Sequence, residues 1–147
     1  MSSQVVRSIA VLGIFALLDV SRVAHAAEVP SHKAGLWETT MTLNGGAPTV
    51  KKLCFAPEWE KKMLELTVKS CAKYEVKKEG SSWVVESECD LGGQRYTGKT
   101  VSSGDFTSTV QSESTSTSKD GAKTTMKTDA KWVGVCGPND KPGSIVR

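Results

Sequence analysis

Apolar and polar positions alternate along most of this chain. From Gly35 to Leu43, the residues Trp37, Thr39, Met41 and Leu43 fall on one side, and Leu36, Glu38, Thr40 and Thr42 on the other. A period of two is that of a strand, whose successive side chains point to opposite faces. Asn44-Gly45-Gly46-Ala47-Pro48 interrupts the pattern with turn residues, and Thr49 to Phe55 resumes it, which predicts a hairpin. The period then changes. Trp59, Met63 and Leu66 recur at i, i+4 and i+7 and predict a single helix from Pro57 to about Lys69, its apolar stripe packed on the sheet. Pro57 suits the first helical turn, where its missing N–H costs nothing. Glu58 and Glu60 sit at the positive end of the helix dipole, and Glu58–Lys62 and Glu65–Lys69 are spaced as i, i+4 pairs.

From Cys71 the alternation returns as a meander. Ala72, Tyr74 and Val76 alternate with Lys73, Glu75 and Lys77, and Trp83, Val85, Ser87 and Cys89 alternate with Val84, Glu86 and Glu88. Turn residues at Glu79-Gly80-Ser81, Leu91-Gly92-Gly93, Ser103-Gly104-Asp105 and Lys119-Asp120-Gly121 separate the predicted strands. The stretch from Phe106 to Thr128 is rich in Ser and Thr. It reads as long, twisted, mostly exposed strands with Phe106, Val110 and Met126 inward, because threonine favours strands and a linker would strand Trp132 and Cys136. The last predicted strand runs from about Lys123 to Cys136 and ends at Gly137-Pro138. The expected fold is mainly β: an antiparallel meander of about seven strands, curled by its natural twist into a half-barrel, with one helix between the second and third strands.

The N-terminus sets the compartment. Arg7 precedes an apolar run from Ile9 to Leu18, shorter than the roughly 20 residues that span a bilayer, and Ala24-His25-Ala26 follows as a cleavage site. The expected organisation is a signal peptide over 1–26, one disulfide-bonded β-rich domain over 27–137, and a flexible tail over 138–147. The mature protein is expected to be periplasmic or secreted, monomeric and without a stable membrane span. Loss of 1–26 takes Lys+Arg from 19 to 17 and Asp+Glu from 16 to 15, leaving +2 spread along the chain rather than the basic stripe of a nucleic-acid binder.

All four cysteines, Cys54, Cys71, Cys89 and Cys136, lie in the mature part. In an exported chain an even number reads as disulfides, and their wide spacing argues against zinc, which favours close pairs. Spacing alone leaves the connectivity open. Cys54 and Cys71 flank the helix, and Cys89 and Cys136 continue inward faces, so the expected bridges are Cys54–Cys71 and Cys89–Cys136.

Gly35-Leu36-Trp37-Glu38, Cys54 with Pro57-Glu58, Cys71, Trp83, Cys89, Ser103-Gly104-Asp105, Met126, and Gly134 with Cys136 together resemble, in order and spacing, the bacterial exported domain-of-unknown-function family numbered 3617. The resemblance covers nearly the whole mature chain. It implies export, a cysteine framework and a β-rich fold, and brings no activity or substrate with it. The first hairpin departs from the pattern: Asn44 to Pro48 stands where the resemblance implies a longer Met- and Pro-rich insert.

Candidate chemistry is sparse. His25 leaves with the signal peptide, and His32 falls in an N-terminal stretch expected to be mobile, which leaves little for a Ser-His-Asp, Cys-His or histidine–metal site. Gly92-Gly93 and Gly98 lie among strands with no helix following, so they form no phosphate loop. Glu86 and Glu88 share a face with Val84 that reads as a solvated charged surface rather than a glycosidase pair. No catalytic, metal or cofactor-binding residue is assigned, and no cofactor is expected. The preferred function is a non-catalytic envelope domain that binds an unknown small molecule or an envelope protein on a concave face, with Trp37, Trp83 and Trp132 as the candidate binding face. The alternatives are a small periplasmic or secreted inhibitor of another enzyme, such as a cell-wall hydrolase, and a hydrolase that uses carboxylates alone. With Trp59, Tyr74, Phe55 and Phe106, these tryptophans also make up most of a thin core.

Overall fold

The computed structural model describes residues 28–146. The signal peptide expected over 1–26, with its cleavage site, lies outside the described residues. Eight strands and one helix follow in chain order: β1 (Gly35–Leu43), β2 (Thr49–Phe55), α1 (Pro57–Lys69), β3 (Cys71–Glu79), β4 (Ser82–Leu91), β5 (Gln94–Gly104), β6 (Thr109–Ser118), β7 (Lys123–Gly134) and β8 (Ile145–Val146). All strands join one open sheet in the order β3-β4-β5-β6-β7-β1-β2-β8, and every neighbouring pair is antiparallel. The mainly β architecture and the single helix between the second and third strands are as the alternation predicts.

The connection from β2 to β3 explains the curl. These strands stand near opposite ends of the row, six strand spacings apart. A flat sheet would separate them by about 29 Å, at roughly 4.8 Å per strand. The 13 residues of α1 rise only about 20 Å along the helix axis. Ala56 and Ser70 add little more. The sheet therefore curves toward the helix, and α1 bridges its concave side. Tyr74 of β3, Val85 of β4, Val110 of β6 and Thr39 of β1 accordingly border one cleft together with Leu64 of α1.

Trp37 forms the centre of the core, with no exposed surface, packed in a cluster with Phe106, Val110 and Ala130. Val29, Phe55, Trp83 and Trp132 pack around that cluster. The Gly-Leu-Trp-Glu start of β1 has a steric cause. Gly35 takes φ +140°, and a Cβ there would run into the Trp132 indole and the Gly134 carbonyl. Opposite it, β1 and β7 slip register between Leu36 and Trp37, so Val133 is the extra residue of a bulge. Trp132 lies across this point, donating from Nε1 to the Ala34 carbonyl at 3.2 Å. Gly35→Ala should therefore cost about 3 kcal/mol through overpacking and a disfavoured φ, measured by urea unfolding. A cost below about 1 kcal/mol would show that the β1–β7 bulge, with the Trp132 ring and the Gly134 carbonyl, gives way freely.

Ser103-Gly104-Asp105 serves the core in the same way. Gly104 has φ +120° and leaves no room for a Cβ beside the Thr109 carbonyl. The Asp105 carboxylate then accepts backbone N–H bonds from Thr107 (2.9 Å), Ser108 (2.7 Å) and Thr109 (3.0 Å), and the Ser108 hydroxyl at 2.5 Å. This loop holds Phe106 at φ +58° with its ring buried. The Ser108 hydroxyl and the three N–H donors hold the Asp105 carboxyl well below the usual aspartate range. Because the folded value is depressed, the stabilisation is present above about pH 4 and is lost as pH falls through the acid range. Asp105→Asn should flatten the acid limb of the stability profile below about pH 4, followed by tryptophan fluorescence. An unchanged limb would place the acid sensitivity elsewhere, for instance at Asp120, whose carboxyl is also lowered, by Ser118 and the Ala122 N–H.

Four expectations about the sheet, its helix and its bridges need correction. The disulfides are Cys54–Cys136 and Cys71–Cys89, not Cys54–Cys71 and Cys89–Cys136. Cys54 and Cys71 are neighbours across the helix in sequence, but β2 and β3 lie far apart in the row of strands. Cys71 instead faces Cys89 directly in the β3–β4 register. Leu36 pairs with Cys54 on one side and with Gly134 on the other, so Cys136, just past Gly134, reaches Cys54 over the start of β1.

The helix stripe is also turned differently. Met63 and Leu66 are 36% and 52% exposed, while Pro57, Glu60, Lys61, Leu64 and Thr67 face the concave side. Trp59 sets this rotation. Its ring meets Phe55 edge-on at 6.1 Å, and it lies where a Cβ on Gly143 would stand.

The stretch 138–147, expected as a flexible tail, contributes β8. Leu53 pairs with Ile145 and Lys52 with Val146, Gly143 N–H donates to the Cys54 carbonyl at 2.7 Å, and Cys54 N–H donates to Ser144. Without β8, strand β2 would present an unpaired edge.

Val84, finally, lies on the convex face with Glu86 as expected, yet it is only 3% exposed. Lys77 and Val101 are its cross-strand neighbours, and side chains directly opposite on one sheet face stand close enough to shield each other. Lys73 and Lys77 both reach Glu75 and Glu86 at 3.5–3.8 Å, which makes Glu86 part of an exposed ion-pair lattice.

Candidate functional site

The concave face of the sheet, α1 and the N-terminal strap of residues 28–34 enclose a cleft of about 670 Å³. Its floor alternates aliphatic and hydroxyl side chains because the inward positions of the Ser/Thr-rich strands face it: Val85 and Ser87 of β4, Thr100 and Ser102 of β5, Val110 and Ser112 of β6, Thr128 and Ala130 of β7. The helix contributes Leu64 and Thr67, and the strap contributes Val29 and Pro30.

The strap is pinned rather than mobile. Lys33 N–H donates to the Phe106 carbonyl at 2.8 Å, and Trp37 Nε1 donates to the Lys33 carbonyl at 2.9 Å. His32 binds Glu60 twice, through its backbone N–H to Oε2 at 2.8 Å and through Nδ1 with Oε1 at 2.6 Å. Its ring stacks on Phe55 with centroids 4.6 Å apart and meets Trp37 edge-on at 4.9 Å. The pair thus fastens the strap to the first turn of α1. Glu60→Gln should loosen that fastening, raising amide exchange at His32 and Lys33 while β4–β6 stay protected; unchanged exchange would mean that the bonds of Lys33 to Phe106 and Trp37 hold the strap without it.

Among the described residues one buried side-chain hydroxyl of the cleft lacks a protein partner. Thr39 is 4% exposed, and its hydroxyl is buried with no hydrogen bond. Burying an unpartnered hydroxyl costs about 1–3 kcal/mol, so such groups are rare in native cores. Tyr74, half-buried on β3, has its phenol pushed up by burial. A second hollow, of about 750 Å³, lies on the convex face among Lys99, Gln111, Glu113, Lys127 and Asp129. Those side chains pair with one another, Lys127 with Glu113 at 3.4 Å and Gln111 with Asp129 at 3.0 Å. It is a ladder of solvated charges with one wall, whereas the concave cleft has walls on both sides and an orphaned hydroxyl.

The structure distributes the candidate residues as follows. Cys54, Cys71, Cys89 and Cys136 are all in disulfides. Trp37 is wholly buried and offers a ligand no surface. Trp132 lies against Gly35 under the Lys33 ammonium, 3.8 Å from its ring centroid, and Trp83 lies under Lys78 at 5.0 Å. None of the three borders the cleft. The residues that do, Thr39 and Tyr74 above all, were legible only as inward positions of their strands, since nothing in sequence distinguishes an inward threonine that packs from one left without a partner. Among the described residues no group of three or more His, Cys, Asp or Glu side chains stands ready to hold a metal, and no helix is long and apolar enough to cross a membrane.

No curated protein and no solved structure matches the chain. A family model does, over residues 32–136, from the histidine that fastens the strap to the last cysteine of the framework. That is well over half of the sequence, and the chain belongs to the family described as Protein of unknown function (DUF3617).

Proposed function

We propose that this is an exported cell-envelope protein whose domain binds a small molecule, without turning it over, in the cleft between the concave sheet and α1. The observation that carries the reading is the buried Thr39 hydroxyl, left without a partner in a two-walled cleft of about 670 Å³. That volume lies inside the range of about 300–1,000 Å³ typical of small-molecule sites, and a mainly apolar lining with a few polar groups is typical too. Export is supported by the N-terminal pattern and by two disulfides, which persist in oxidising compartments.

Native mass spectrometry of the protein isolated from cell envelopes tests both parts. The polypeptide should begin at Ala27 and carry a non-covalent adduct, and Ser102→Phe, which fills the floor of the cleft, should abolish the adduct. An adduct retained by the filled variant would move the site elsewhere. A chain beginning at Met1 would overturn cleavage.

A further inference from the structure

The chemistry of the cleft walls narrows the ligand, given the reading of the cleft as the binding site. Every sheet residue that borders it is uncharged. A charged group lying against that floor would lose its water and meet no counter-ion, which costs far more than hydroxyl contacts return. The charged residues of the lining all belong to the strap and to α1, where Glu28, Glu58 and Glu60 outnumber Lys61, so the rim disfavours an anion. No arginine borders the cleft to hold a carboxylate or phosphate. Between rim and floor the surface is aliphatic or aromatic at Val29, Phe55, Leu64, Val85, Phe106 and Val110.

One floor group still demands a partner. The Thr39 hydroxyl is both donor and acceptor, so a ligand hydroxyl, carbonyl or ether would satisfy it equally. Ala130 and Lys51, its cross-strand neighbours in β7 and β2, provide no side-chain hydrogen bond to it. We propose that the cleft takes an uncharged, mainly apolar molecule bearing a hydroxyl, carbonyl or ether group, with Thr39 as its buried hydrogen-bonding anchor.

The test uses the mature, disulfide-bonded protein and diphenylhexatriene, a hydrocarbon that fluoresces on entering an apolar site and has no polar group of its own. Fluorescence should rise to saturation at one probe per protein, and Ser102→Phe should abolish the rise. Decanol should displace the probe at a concentration at least about tenfold lower than decanoate of the same chain length, the difference expected when a charge must be left unpaired. Thr39→Val should weaken displacement by decanol by about tenfold, the loss of one buried hydrogen bond, while the probe, which has no polar group to lose a partner, still saturates at one per protein. Thr39→Ser, which keeps the hydroxyl, should restore displacement. The melting temperature of Thr39→Val should equal or exceed that of the parent, because the hydroxyl it removes has no protein partner.

Equal displacement by decanoate, or decanol binding indifferent to Thr39→Val, overturns the proposed ligand class. If neither probe nor decanol binds while the native adduct persists and is lost in Ser102→Phe, the ligand class falls and the cleft remains the site. If probe binding alone survives in Ser102→Phe, the ligand class falls; if the native adduct survives with it, the site is elsewhere and both readings fall.

Discussion

Replacing Cys54 and Cys136 together by serine should destabilise the domain by about 4.5 kcal/mol, against about 3.2 kcal/mol for the Cys71/Cys89 pair, from the loop-entropy relation for cross-linked chains. The difference arises because the first bridge closes a loop of 82 positions and the second one of 18. A domain of this size has only about 5–15 kcal/mol in total, so the first loss brings it near the threshold of folding. Urea unfolding of the two double variants checks the order, and non-reducing peptide mapping checks the connectivity itself. A reversed order would mean that strain or residual structure, rather than loop length, dominates here. The Cys54–Cys136 variant should also free the C-terminal segment, because Cys54 both carries the bridge and exchanges backbone bonds with Gly143 and Ser144. Amide exchange at 143–146 should rise in that variant and stay nearly unchanged in the other.

Trp37→Ala should cost about 3–5 kcal/mol, the range for deleting a large aromatic from a packed core. Trp37 has no exposed surface and touches both halves of the structure: its ring packs with Phe106, Val110 and Ala130, and its indole N–H holds the strap through Lys33. Trp83 and Trp132 keep part of their surface in solvent, and the same change at either should cost less, measured as the shift in urea midpoint at constant slope. Trp37→Phe should recover roughly half the loss, because it keeps the ring and forfeits the hydrogen bond. A loss below about 1 kcal/mol for Trp37→Ala would place the centre of the core elsewhere.

The local elements were legible because their causes are local. The period of two over Gly35–Leu43 and the turn residues at Asn44–Pro48 are properties of adjacent side chains, and β1 and β2 follow them. Pro57, with Glu58 and Glu60, started the helix where the structure has it. The four cysteines announced two bridges without their partners. Gly35 and Gly104 stood in recognisable motifs, but the reason for each lies in another strand or across a loop: the Trp132 ring and the Thr109 carbonyl.

What tertiary structure alone decided is a matter of where strands stand once the sheet closes on the helix. Sequence neighbours across α1 suggested Cys54–Cys71, yet the row of strands puts β2 and β3 six strand spacings apart, and a covalent bond follows spatial proximity. The outward turn of Met63 and Leu66 was hidden for the same reason. Period 3.6 identifies a stripe, but contacts at the helix ends, Trp59 on Gly143 and Glu60 on His32, choose which stripe faces in. The tail became β8 because an exposed edge of β2 was waiting for it, and no pattern in two strand residues could announce that. The cleft belongs to this second class as well. Alternation determined that Thr39 points inward, whereas the packing of the curved sheet determined that its hydroxyl is buried with no protein group to hydrogen-bond it.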